Sequence, residues 1–89
     1  MSVFRGSGTG TINSTAKNIP ATISSFSIVN TSGGNITVTV YIAEIAITAI
    51  DYILKDGQAY IWDSPIRMQA GDVIAIVASN SVDYYFTIE

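Results

Sequence analysis

The stretch ITVTVYI, residues 36–42, alternates without a break: Ile36, Val38, Val40 and Ile42 face one way, Thr37, Thr39 and Tyr41 the other. A period of two with β-branched residues at most positions specifies a half-buried strand. Upstream, ATISSFSIVN (21–30) places Phe26 and Ile28 on one face. Between the two runs, NTSGGN (30–35) packs Asn, Ser and two glycines together, which predicts a hairpin connection. Downstream, beyond Glu44, the apolar parity passes to Ile45, Ile47 and Ala49. That flip predicts a bulge or a strand crossing between sheets.

The same period continues towards the C-terminus. Tyr52 and Leu54 precede a turn at Lys55-Asp56-Gly57, and Tyr60 and Trp62 then alternate with Ala59 and Ile61. Pro65 lacks the N–H that a central strand must donate, so it marks an edge or a break. A second turn is predicted at Ala70-Gly71-Asp72. DVIAIVAS (72–79) is nearly continuous in apolar character, which predicts a strand buried on both faces. In SVDYYFTIE (81–89), Val82, Tyr84, Phe86 and Ile88 share one face, and the pattern predicts a C-terminus held in a sheet. No segment has a helical period. Seven to eight short strands with regular turn signals predict an all-β domain, an antiparallel β-sandwich or a jelly-roll-like barrel.

Ahead of this pattern, FRGSGTGTIN (4–13) sets glycines at 6, 8 and 10. A phosphate-binding loop would need a helix start behind those glycines, and none follows. The composition instead predicts a flexible or extended N-terminal arm over residues 1–18, leaving 19–89 as the β-sandwich domain. Val3, Phe4 and Arg5 are the large groups with which such an arm would dock on a partner. Deleting residues 2–12 is then expected to leave the sandwich folded and to abolish docking.

Composition narrows the chemistry. The 89 residues suffice for one domain. They include no cysteine and no histidine, which removes disulfides, thiolate chemistry, the commonest metal ligand and the usual general base. Of the seven carboxylates, Asp56 and Asp72 adjoin glycines, where Asp serves turn geometry, and no calcium-loop motif is present. The expectation is a non-enzymatic protein without metal or cofactor. A net charge of −3 with four scattered cations, Arg5, Lys17, Lys55 and Arg67, gives no basic stripe for nucleic acid. The longest apolar segment, 36–50, contains three threonines and Glu44 and is too short and polar to span a bilayer. No leader-like apolar run opens the chain, which points to cytoplasmic synthesis.

Hydrophobic residues make up 48% and charged residues 12% of the chain, about half the usual charged fraction. So sparsely charged a surface predicts contact with other chains. Tyr60, Trp62 and Tyr85 are the aromatic candidates for that contact, or for stacking against sugars in the alternative reading as a carbohydrate-binding module.

The succession FSIVNTSGGNITVTVYI, PIRMQAGDVIAIVAS and VDYYFTIE resembles a class of small phage virion proteins. In that class a strand ending in Asn-Thr-Ser, here Asn30 to Ser32, leads to a Thr/Val-rich strand, and an Ala-Gly-Asp turn, here Ala70 to Asp72, opens a later one. The resemblance covers roughly residues 21–89. It implies a β-sandwich or jelly-roll structural protein of the virion, made in the host cytoplasm. Most specifically it implies a capsid decoration or auxiliary head protein, with a tail or neck component as the alternative. The implied partners are the major capsid protein or other virion proteins, with a homo-oligomer, a trimer foremost.

Overall fold

The computed structural model describes residues 2–14 and 20–89, and every regular element within them is a strand. The alternation at 36–42 becomes β3 (Ile36–Ile42), whose Ile36, Val38, Val40 and Ile42 are all buried. Around it stand β1 (Ser2–Asn13), β2 (Ala21–Asn30), β4 (Ile45–Ala46), β5 (Tyr52–Leu54), β6 (Ala59–Trp62), β7 (Ile66–Met68) and β8 (Ile74–Ile88). All pairings are antiparallel and join one eight-stranded sheet that curls into a half-barrel. The class is the all-β one expected. The strands are less uniform than expected, since β1, β2 and β8 run to 12, 10 and 15 residues.

β8 is the spine of the sheet. One of its edges pairs with β1 over the full length of that strand. The other edge pairs with β3 through Ile74 to Ala78 and with β2 through Val82 to Ile88. Fifteen straight residues would span about 50 Å, yet the longest dimension of the molecule is 38 Å. The strand therefore bends, between its β3-paired and β2-paired halves. Opposite that bend the β1 register shifts between Gly8 and Gly10. Gly10 has φ +74°, a conformation that side chains with a Cβ disfavour and that suits a bulge.

The bend divides the sheet into two wings that share β1 and β8. One wing adds β3, β4 and β5, and the other adds β2, β6 and β7. Even-numbered residues line the inside of both. Val38, Val40, Ile74 and Ile76 come from the first wing, and Phe26, Ile28, Val82, Phe86 and Ile88 from the second, all buried. Phe26 stacks on Phe86 with ring centroids 4.6 Å apart and on Trp62 at 6.0 Å. Offset stacking of this kind adds to the apolar burial that stabilises the core.

Two of the connections between wings, β2 to β3 and β5 to β6, are corners rather than hairpins. β2 and β3 each pair with β8 and not with one another, so NTSGGN carries the chain from one wing to the other. The buried side chain of Asn30 holds that corner. Its Nδ2 donates to the carbonyls of Gly34 (2.6 Å) and Leu54 (2.9 Å), and its Oδ1 accepts from Ser32 N (2.9 Å) and Ser32 Oγ (2.7 Å). Both amide hydrogens and both oxygen lone pairs are thereby used. The Lys55–Gln58 turn, closed by Gln58 N donating to Lys55 O at 2.9 Å, leads likewise from β5 on β3 to β6 on β2.

Three other expectations need correcting. The parity flip after Glu44 is neither a bulge nor a crossing. Ala43 and Glu44, at φ +52° and +68°, form a two-residue turn that pairs Ile42 with Ile45. The run at 72–79 is not buried on both faces, because Val77 lies 40% exposed while Ile74, Ile76 and Ala78 point inward. It also continues without a break into 81–88 as the single strand β8. Finally, residues 2–13 of the expected arm are extended but not free. They are β1, laid on β8 of the same chain, with Phe4 and Ile12 packed against the core. The remainder of the arm, at residues 15–19 and Met1, lies outside the described residues. The C-terminus is held as expected: Thr22 and Glu89 exchange main-chain hydrogen bonds at 2.9 and 2.7 Å.

Candidate functional site

Odd-numbered residues of the second wing form an outer face. Successive cross-strand rows run Val3–Thr87–Ser25, then Arg5–Tyr85–Ser27–Ile61, then Ser7–Asp83–Val29–Ala59. Because side chains alternate across a pleated strand, these groups share one surface. Its large apolar members are open to solvent: Val3 is 41% exposed, Tyr85 43% and Ile61 72%. Short Ser and Thr side chains fill the positions between them. Two cations, Arg5 and the β7 residue Arg67, and one anion, Asp83, stand on the face, and Ser7 Oγ donates to Asp83 Oδ1 at 2.5 Å. The surface carries three charges among otherwise apolar and hydroxyl side chains.

This arrangement separates residues that the sequence groups together. Val3 and Arg5 lie on the outer face. Phe4 points the other way, with its ring 4.8 Å from Tyr84 and 5.7 Å from Phe86. Tyr60 and Trp62 are also turned inward, against Phe26, and Trp62 Nε1 donates to the Ser64 carbonyl at 2.9 Å. Tyr85 alone among the three aromatic candidates reaches the outer face. Tyr60, Trp62 and Tyr85 therefore form no common platform. Ile61 and Val29, which sequence reading did not single out, belong to the face by parity. The signal for Ile61 was present in its alternation with the two aromatic residues beside it.

A separate hollow of about 590 Å³ opens on the first wing, lined by Asn13, Tyr41, Ala43, Glu44, Asp72 and Ala75 among others. It brings two carboxylates to one region. Asp72 is engaged, since its Oδ2 accepts from Gln69 N at 2.7 Å and closes the Gln69–Asp72 turn. Among the described residues no group of three or more His, Cys, Asp or Glu side chains gathers in metal-binding geometry. No helix of the structure is long and apolar enough to cross a membrane.

Comparison of the chain with models of known families, with curated proteins and with solved structures gives no match.

Proposed function

We propose that this chain is a non-enzymatic structural module that works by packing its outer sheet face against neighbouring subunits of a larger assembly. The observation that carries this reading is the face itself: Val3, Tyr85 and Ile61 stand exposed over paired strands, set among Ser and Thr, with Arg5, Arg67 and Asp83 as its charges. Flat, weakly charged surfaces with exposed aromatic and aliphatic groups suit protein–protein contact. A sugar-binding module would instead gather its rings in a groove, whereas Tyr60 and Trp62 stack into the core.

The resemblance of residues 21–89 to small phage virion proteins gives the reading its specific form. The chain is a head decoration or auxiliary capsid protein that docks on the major capsid protein. Repetition of a modest contact over a lattice would stabilise the shell by multivalency. The test is density-gradient fractionation of virions that carry this protein. The chain should sediment with capsid protein at a fixed ratio, and Ile61→Asp should release it while leaving far-ultraviolet circular dichroism unchanged. Recovery of the unmodified chain only in the free soluble fraction would overturn the assignment.

A further inference from the structure

Among the described residues, β1 pairs with β8 on one edge and with no other strand on its second edge. An open edge offers unpaired N–H and C=O groups to any strand that can align with it, and proteins usually block such edges with lysine, proline or a covering loop. The 12 residues of β1 contain neither lysine nor proline, and Arg5 is their one charge.

Hydrogen-bond alternation identifies the groups on offer. The exchange between Thr22 and Glu89 directs the main-chain groups of odd-numbered residues in this half of β8 at β2. Even-numbered residues therefore face β1. Through the β1–β8 register, Phe4, Gly6 and Gly8 bond to β8. The N–H and C=O groups of Val3, Arg5 and Ser7 are directed at the open edge.

We propose that the occupant of this edge is a second copy of the same chain, joined through antiparallel β1–β1 pairing about a two-fold axis at Gly6. Charge and shape select the copy and the register. With the axis at Gly6, Arg5 of each chain lies opposite Ser7 of the other, on the outer face. Ser7 already holds Asp83 in the next strand through its hydroxyl. Each Arg5 thus meets the partner's Asp83 across about two strand spacings, near 10 Å between Cα atoms, a span that the arginine and aspartate side chains cover together. On the inner face, Phe4 lies opposite Gly8 and Gly6 opposite Gly6, where the close approach of a non-hydrogen-bonded pair needs small residues. An axis at Arg5 would set the two arginines against each other. An axis at Ser7 would place Arg5 opposite Thr9, inside the register shift, and leave Asp83 unmatched. The pairing joins two complete eight-stranded sheets into one continuous sheet and leaves Ile61, at the far side of the wing, free for docking.

The experiment uses the full chain in the absence of any virion component, so its outcome is separate from that of the docking proposal. Light scattering behind size exclusion should give twice 9.5 kDa for the unmodified chain. Arg5→Glu and Asp83→Arg should each weaken the dimer roughly tenfold or more through like-charge contacts. An equimolar mixture of the two variants should regain dimers, because each hybrid dimer then carries two opposite-charge contacts. A contact within one chain cannot be repaired by mixing. Ser7→Pro, which removes a donor on the open edge and none facing β8, should give a folded monomer. A monomeric unmodified chain, a trimer, or a mixture no more associated than its components would each overturn the proposal.

Discussion

Replacement of Asn30 by alanine should be among the most damaging single polar substitutions in this chain, and its cost can be worked from the corner that Asn30 holds. Two of its hydrogen bonds go to main-chain carbonyls, and the one to Leu54 lies in a buried setting. Loss of the donor leaves that carbonyl unpaired, at about 1–3 kcal/mol. The Gly34 carbonyl keeps a bond from Ser32 Oγ at 2.9 Å, and the two groups of Ser32 that Asn30 accepts from can turn to water. These contribute about 0.5–1 kcal/mol each. The sum, about 2.5–6 kcal/mol, is a large share of the roughly 4–13 kcal/mol expected for a domain of this length. Urea unfolding followed by Trp62 fluorescence should show the loss, with a melting temperature lower by about 10 °C or more. Ser32→Ala, which spares both donated bonds, should cost less than about 1 kcal/mol. A loss below about 1 kcal/mol for Asn30→Ala, with unchanged denaturant dependence, would refute the corner as the stabilising element.

The Ala43–Glu44 turn holds two non-glycine residues at positive φ, so Ala43→Asn combined with Glu44→Gly should stabilise the fold by about 1–2 kcal/mol, read as a rise in melting temperature. No gain would mean that the turn is relaxed as it stands. Thr48 Oγ1 accepts from Val40 N at 3.2 Å on the edge of β3 away from β8, between the pairings with β5 and β4. Thr48→Val should therefore cost about 1–2 kcal/mol in urea despite its matched shape, and a neutral result would show that water serves Val40 equally well. Deletion of residues 2–12 should unfold the chain, contrary to the expectation from an independent arm, because it strips β8 of a partner and removes Phe4 and Ile12 from the core. Full burial of two such side chains would contribute about 3–6 kcal/mol, and Phe4 and Ile12, half-buried, supply roughly half of that. A truncated chain with well-dispersed amide resonances would contradict this.

The parts of the fold that were legible in the sequence are those in which parity alone decides orientation. Ile36 to Ile42 and Val82 to Ile88 follow it, as does the pairing of the chain end. Connectivity was not legible, because NTSGGN has the residues of a hairpin whether it joins two paired strands or turns a corner. The distinction lies in Asn30, whose side chain bonds to Leu54, 24 residues away, and composition does not encode such a partner. The outer face was partly legible. Tyr85 has the parity opposite to the inward set Val82, Tyr84, Phe86 and Ile88, whereas Ile61 was masked by the larger aromatic residues on either side. Tyr60 and Trp62 resemble exposed stacking groups until the position of Phe26, opposite Trp62 and with its ring 6.1 Å from that of Tyr60, is known.

The segment least marked by sequence propensity joins the two wings. Glycine, serine and threonine give β1 little reason to be a strand alone, so its structure comes from the pairing with β8. Phe4 anchors it in the second wing and Ile12 in the first, on either side of the bend. Between them the inward-facing positions 6 and 8 are glycines in close quarters: a Cβ on Gly6 would come within 2.8 Å of the Tyr84 hydroxyl, and one on Gly8 within 3.0 Å of Ile12 Cδ1. Gly10 meets a different demand, a positive φ at the register shift. The glycine spacing that resembles a linker is thus the imprint of neighbouring side chains and of a bend. The same small residues leave the outer edge of β1 unobstructed, and a strand dependent on pairing for its own order is well placed to accept a second partner on that edge.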